Sequence, residues 1–167
     1  QTCALPIFKV ALSGLGGDEL FGGYPSFRDV PRLKWLARAP EIIRRPLGAL
    51  GTRGSRLAEL PSGGAAELAV WRRKLWTDEM LREAGLPVPP QPTLEAVDLP
   101  DDFARVSWAE LRGYMKNMLL RDADAMSMAV SLELRVPFLD HEFVEFVRSE
   151  EHTSELQSLA YLVCRLL

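Results

Sequence analysis

The stretch "ALSGLGGDELFGGY", Ala11 to Tyr24, holds five glycines, one serine and two adjacent carboxylates directly behind an apolar run. Glycines at 14, 16 and 17 free the backbone to take positive φ and to approach a ligand closely. N–H groups in such a turn converge on an anion, helped by the start of a following helix. Ser13 adds a hydroxyl donor. Asp18 and Glu19 repel phosphate directly, yet they suit Mg2+, which takes carboxylate together with phosphate oxygens. A strand–turn–helix with no ligand accounts for the same glycines, and the two acids would then only complement the helix dipole. The stretch is not a P-loop, because the Lys-Ser/Thr end of that pattern is missing.

A second polar set lies in "LLRDADAMSMAVSLELRVPFLDHEFVE", Leu119 to Glu145. Arg121, Asp122, Asp124, Glu133, Arg135 and Asp140 stand in an apolar frame. Arg135 beside Glu133 and Asp140 suits a structural ion-pair network around Pro137. An arginine facing phosphate or a substrate carboxylate would use its planar fork. His141 falls in a first helical turn with Glu142 and Glu145 nearby, which suits a solvated face. Met115, Met118, Met126 and Met128 read as core filler. No His/Cys/carboxylate spacing suggests zinc or iron.

The elements that must position these residues follow from periodicity. "FKVALS", Phe8 to Ser13, reads as a buried strand ending at glycine. From Val30 to Leu50, apolar positions recur at helical spacing, with Pro40 separating two helices and Pro46 starting or kinking one. "GTRGSRLAELPSGG" reads as a loop with a short helical piece, and Ala65 to Met80 as one helix with Leu68, Trp71, Leu75 and Trp76 on its apolar side. Five prolines between Gly85 and Asp102 mark an extended connector. Ala104, Trp108, Leu111, Met115 and Met118, spaced by 4, 3, 4 and 3, share one helical face. A further helix is expected over about 123–132. Pro137 then forces an extended residue before it, and Asp140 caps a last helix, "HEFVEFV". The segment is thus expected to be mostly helical with one strand.

A chain of 167 residues can bury a core of its own, and 47% hydrophobic with 26% charged residues is ordinary for a globular protein. The net charge of −3 offers no basic footprint for nucleic acid. No apolar run reaches the ~20 residues of a membrane span, and no basic signal-peptide start is visible, so a cytoplasmic address is expected. The two ends read as foreign. "QTCALPI" and "RSEEHTS", Arg148 to Ser154, can be written as reverse complements in shifted frames, and both resemble translated sequencing adapter. Residues 1–7 and 148–167 are therefore expected to be artefact, and 8–147 the domain segment. Both cysteines, Cys3 and Cys164, fall in those ends, which leaves the segment no thiol nucleophile or disulfide.

"SGLGGDELFGGY", followed about a hundred residues later by "LLRDADAMSMAVSLELRVPFLDHEFVE", resembles the synthetase domain of glutamine-dependent asparagine synthetases. The resemblance covers roughly residues 8–147. It implies an α/β parent fold of the PP-loop ATP pyrophosphatase type, akin to the adenine nucleotide alpha hydrolases. It further implies binding of ATP and Mg2+, adenylation of a carboxylate, usually of aspartate, and attack by ammonia with release of AMP and pyrophosphate. A glutaminase domain, not contained in this segment, would supply the ammonia. Carried over, Ser13 and Gly14, with Gly16 and Gly17, match the family's ATP and pyrophosphate contacts. Asp18 matches an acidic position near Mg2+, and Glu19 follows it.

Leu15 departs from the pattern, which has Glu or Asp there. A divergent homologue with another acceptor, a β-lactam-synthetase-like cyclase and a non-catalytic helical interaction module are the alternatives. The family's earlier SGG-Asp-Ser loop and its lysine after "PFLD" are not in the segment, so the chain alone is expected to be inactive.

Overall fold

Within the run Phe8 to Ser13 only Val10–Leu12 forms a strand, and the expectation of a buried strand is corrected. Phe8, Val10 and Leu12 are exposed, because among the described residues this strand pairs on one side with a single three-residue neighbour; the chain then turns at glycine into a short helix. The structure, a computed structural model, describes residues 8–44, 46, 56–57, 59–90 and 97–148. In chain order the elements are β1 (Val10–Leu12), α1 (Gly17–Phe21), α2 (Pro25–Ala37), α3 (Glu41–Arg44), α4 (Ala65–Arg73), α5 (Asp78–Glu83) and α6 (Asp102–Glu110). A π-helical segment (Leu111–Leu119), α7 (Leu120–Met128), β2 (Glu133–Arg135), a 3-10 turn (Pro137–Leu139) and α8 (His141–Arg148) follow. The expectations for residues 1–7 and 149–167, for Leu47 and for most of the glycine-rich loop lie outside the described residues. Among the described residues no helix is long and apolar enough to cross a membrane.

The described residues fall into two compact units, one from residues up to 25 and from 110 onward, the other from 26–109. In the first unit the expectation of one strand is corrected. Glu133–Arg135 is a second strand, parallel to β1, with Val10 opposite Glu133, Ala11 opposite Leu134 and Leu12 opposite Arg135. The Glu133 N–H donates to the Lys9 carbonyl and the Ser13 N–H to the Arg135 carbonyl, each at 2.8 Å. The helix expected over 123–132 instead begins at Leu120, directly after the π segment, and ends at Met128. It closes in a Schellman motif. Leu132 N–H donates to the Ser127 carbonyl at 2.9 Å and Ser131 N–H to the Met128 carbonyl at 3.0 Å. Ser131 accordingly takes φ 57°, the left-handed position where glycine is usual.

The π segment also breaks the expected apolar face. Its turns close i to i+5, as in Leu120 N–H to the Met115 carbonyl, so spacings of 3 and 4 no longer return to one side. Met115 is buried, but Met118, Met126 and Met128 are exposed, so three of the four methionines are not core filler.

The second unit carries its own core of Val30, Ala37, Leu60, Leu68, Ala69, Val106 and their neighbours. Helix α2 starts five residues before the expected Val30, with Pro25 at its first position, where the missing N–H costs nothing. Pro31 lies inside it and removes one interior hydrogen bond. The single helix expected over Ala65 to Met80 is corrected to two. Lys74 turns extended after α4, and Thr77 opens α5 by accepting from the Met80 N–H at 3.1 Å. Leu75 and Trp76, in that break, are exposed. Asp101 caps α6 through the Ala104 N–H at 2.7 Å. Lys34 then holds Asp102 with both carboxylate oxygens, at 2.7 and 2.8 Å.

Candidate functional site

The glycine-rich turn sits between β1 and α1, in the first unit. Ser13 leaves the strand, and its Oγ accepts from the Leu15 N–H at 3.3 Å, so its own O–H remains available to donate. Gly17 N–H donates to the Gly14 carbonyl at 3.1 Å, which closes the turn. Gly16 takes φ 100°, a conformation that side-chain-bearing residues rarely adopt. Gly14 is exposed, with open space where a Cβ would stand. The turn therefore presents Ser13 and Gly14 outward while Gly16 is buried.

Gly16 is buried because the second motif packs on it. A Cβ there would come within 2.7 Å of Leu139 Cδ2 and 3.1 Å of Phe138 Cβ. Phe138 also meets Phe21 of α1 edge-on at 6.2 Å and Phe143 of α8 at 5.5 Å. Together with the β1–β2 pairing, these contacts bring two motifs about a hundred residues apart in sequence onto one structure.

The two carboxylates after the turn have opposite surroundings. Asp18 is exposed and leans over Gly23, where a Cβ would collide with its Oδ1. Glu19 is 1% exposed and accepts a hydrogen bond from the Tyr24 hydroxyl at 2.7 Å. Burial pushes its carboxyl above the usual range, and the charges of Asp18 and Glu110 act in the same direction; the Tyr24 hydrogen bond opposes them. Tyr24 in turn meets Tyr114 edge-on at 6.2 Å. Among the described residues no three His, Cys, Asp or Glu side chains are grouped to hold a metal by themselves. Asp18 fits the requirement of Mg2+ for one or two carboxylates completed by phosphate oxygens. Glu19, enclosed and engaged with Tyr24, stands behind it.

The polar residues of the second motif are spread over the surface. Arg121, Asp122, Asp124, Glu133, Arg135, Asp140 and His141 are all exposed. Arg135 pairs with Glu133 at 2.8 Å, as expected, but Asp140 does not join them. It caps α8 instead, accepting from the Glu142 N–H at 3.0 Å and the Phe143 N–H at 3.4 Å. Sequence reasoning missed Tyr24 as the partner of Glu19 and missed the closeness of Leu139 to Gly16. A tyrosine five residues beyond a buried acid was a signal for the first; nothing local signals the second.

A strand, a glycine turn and a helix are met by a distant apolar loop, and the turn lies open at Gly14. Comparisons with known proteins show the chain's family. A family model described as asparagine synthase matches residues 6–157. The chain belongs to the asparagine synthase family. It is similar to a putative glutamine-hydrolyzing asparagine synthetase of Mycobacterium bovis, with 35% identity over 148 residues, or 80% of this chain and 23% of the relative. The glutamine-hydrolyzing asparagine synthetase 1 of Bacillus subtilis is 32% identical over 147 residues, 78% of this chain and 23% of its own length. Amidase chyE of Penicillium rubens is 26% identical over 181 residues, 90% of this chain and 27% of its own. The chain thus spans about a quarter of the length of these curated relatives. No solved structure matches it.

Proposed function

We propose that this chain is part of an ATP-dependent, glutamine-hydrolysing amide ligase. The parent fold would be the α/β arrangement of the PP-loop ATP pyrophosphatases, with β1 and β2 as two of its parallel strands. The substrates would be ATP, a carboxylate of the aspartate type, and ammonia drawn from glutamine by a glutaminase domain elsewhere in the protein. Such metabolites suit a cytoplasmic setting. The observation that carries the reading is the packing of the glycine turn against Phe138 and Leu139, which unites the two family motifs.

In this reading Ser13 donates its hydroxyl proton to a phosphate oxygen, and Gly14, Gly16 and Gly17 form the turn that follows the phosphates closely. Asp18 would hold the metal. Mg2+, when bound, neutralises charge on the phosphates as the carboxylate is activated. Glu19, next to Asp18 in the chain and buried, is held in place by the 2.7 Å hydrogen bond from the Tyr24 hydroxyl. Leu15, half-buried at the turn, offers an apolar surface where relatives of this pattern carry an acid, so acceptor choice is set without a charge there.

The test is ATP–pyrophosphate exchange by the protein that carries this segment, across a panel of carboxylates headed by aspartate. Carboxylate-dependent exchange that falls at least tenfold in Asp18→Asn supports the reading, since a charge-assisted contact is worth ~1.5–3 kcal/mol. Absence of exchange with every carboxylate contradicts it.

A further inference from the structure

The second unit holds an open groove of about 430 Å³ lined by Asp29, Arg32, Leu33, Arg56, Trp71 and Arg72. That volume lies within the ~300–1,000 Å³ of small-molecule sites. Three guanidinium groups against one carboxylate leave the lining at +2, in a chain whose net charge is −3.

The charges are arranged rather than scattered. Arg72 grips Asp29 through Nε at 3.1 Å and Nη2 at 2.6 Å. Arg72 heads the causes that hold the Asp29 carboxyl below its usual range, so that carboxylate stays ionised and committed. Arg56 lies over the Trp71 ring at 5.5 Å, and its Nη2 donates to the Arg72 carbonyl at 3.3 Å and the Lys74 carbonyl at 2.8 Å. One edge of that guanidinium is thus fixed against the end of α4, and the stacking fixes its plane. Arg32 is exposed and makes no ion pair with a described residue. Leu33 and Trp71 supply apolar surface between the cations.

We propose that this groove binds a small phosphate monoester, with Arg32 and Arg56 on the phosphate and Leu33 and Trp71 against the organic part. A dianion matches the surplus of two charges, and planar guanidinium forks match phosphate geometry. The site is separate from the glycine turn and does not depend on the function proposed for it.

The probe is phenyl phosphate, titrated calorimetrically into the full chain, with inorganic phosphate and benzoate as comparisons. Saturable binding is expected, tighter than for either comparison. Arg32→Gln should weaken it about tenfold, the loss of one charge-assisted contact. Arg32 is a surface residue, so the variant is expected to keep its fold, which circular dichroism checks. Ser13→Ala, at the glycine turn, should leave the affinity unchanged. The proposal is overturned if phenyl phosphate does not saturate, if Arg32→Gln binds as tightly as the parent, if benzoate binds as well, or if Ser13→Ala abolishes binding.

Discussion

Replacing Gly16 with alanine introduces a methyl group at a point where two demands meet. The backbone there stands at φ 100°, and the new Cβ would lie 2.7 Å from Leu139 Cδ2, 3.0 Å from Leu139 Cγ and 3.1 Å from Phe138 Cβ. The left-handed backbone costs an L-residue about 1–2 kcal/mol. The close contacts add about 1–3 kcal/mol, because Leu139 can swing its terminal methyl but Phe138 cannot move its Cβ without shifting the turn. The total is roughly 2–5 kcal/mol. At ~2–4 °C per kcal/mol for a chain of this size, Tm should fall by about 5–15 °C. Gly14→Ala is the control: nothing stands within 4 Å of its Cβ position, so its cost should stay within about 0.5 kcal/mol. Thermal unfolding followed by circular dichroism measures both. Equal Tm values for the two variants would refute the packing of the second motif on the glycine turn.

Three further outcomes follow from the same unit. Glu19→Gln should relieve the pH dependence caused by burial. A carboxyl raised above its ordinary value of 4.5 stabilises the fold fully below that pH and loses the contribution as pH rises through the folded value. The parent chain should therefore lose stability relative to Glu19→Gln as pH climbs from about 4 toward neutrality, measured by urea unfolding; parallel curves would disprove it. Tyr24→Phe removes the 2.7 Å donor to Glu19 and should cost about 1–3 kcal/mol at neutral pH by the same assay, with a smaller loss in acid. Ser131→Gly should raise Tm by about 2–4 °C, since glycine occupies φ 57° without the ~1 kcal/mol penalty of a side chain.

The sequence was most legible where chemistry is local. Strand β1 followed from a β-rich run halted by glycine, and the Asp140 cap from an acid placed before an apolar helix. The break between α4 and α5 was also written locally: Thr77 before Asp78 and Glu79 is an N-cap signal, masked by the apolar pull of Leu75 and Trp76. Strand β2 was not legible. Three residues, Glu133, Leu134 and Arg135, carry little β signal, and their pairing with Val10–Leu12 is set by contacts across more than a hundred residues. The π segment had no local mark apart from Gly113, so the spacing of Met115 and Met118 pointed to a face that the wider turns dispersed. At the site, residue types announced the turn, whereas the enclosure of Glu19 and the seat of Leu139 on Gly16 are set by tertiary packing that no local pattern marks.

The turn from Ser13 to Asp18 is proposed here as the phosphate-facing wall of an ATP site. Titration of the isotope-labelled chain with Mg2+–ATP, followed through backbone amide resonances, tests it most directly. Saturable shifts concentrated at Ser13, Gly14, Gly16, Gly17 and Asp18 are expected, with affinity weakened about tenfold by Asp18→Asn in the presence of Mg2+. Shifts that leave these amides unmoved while others titrate, or no shifts at all, would contradict it.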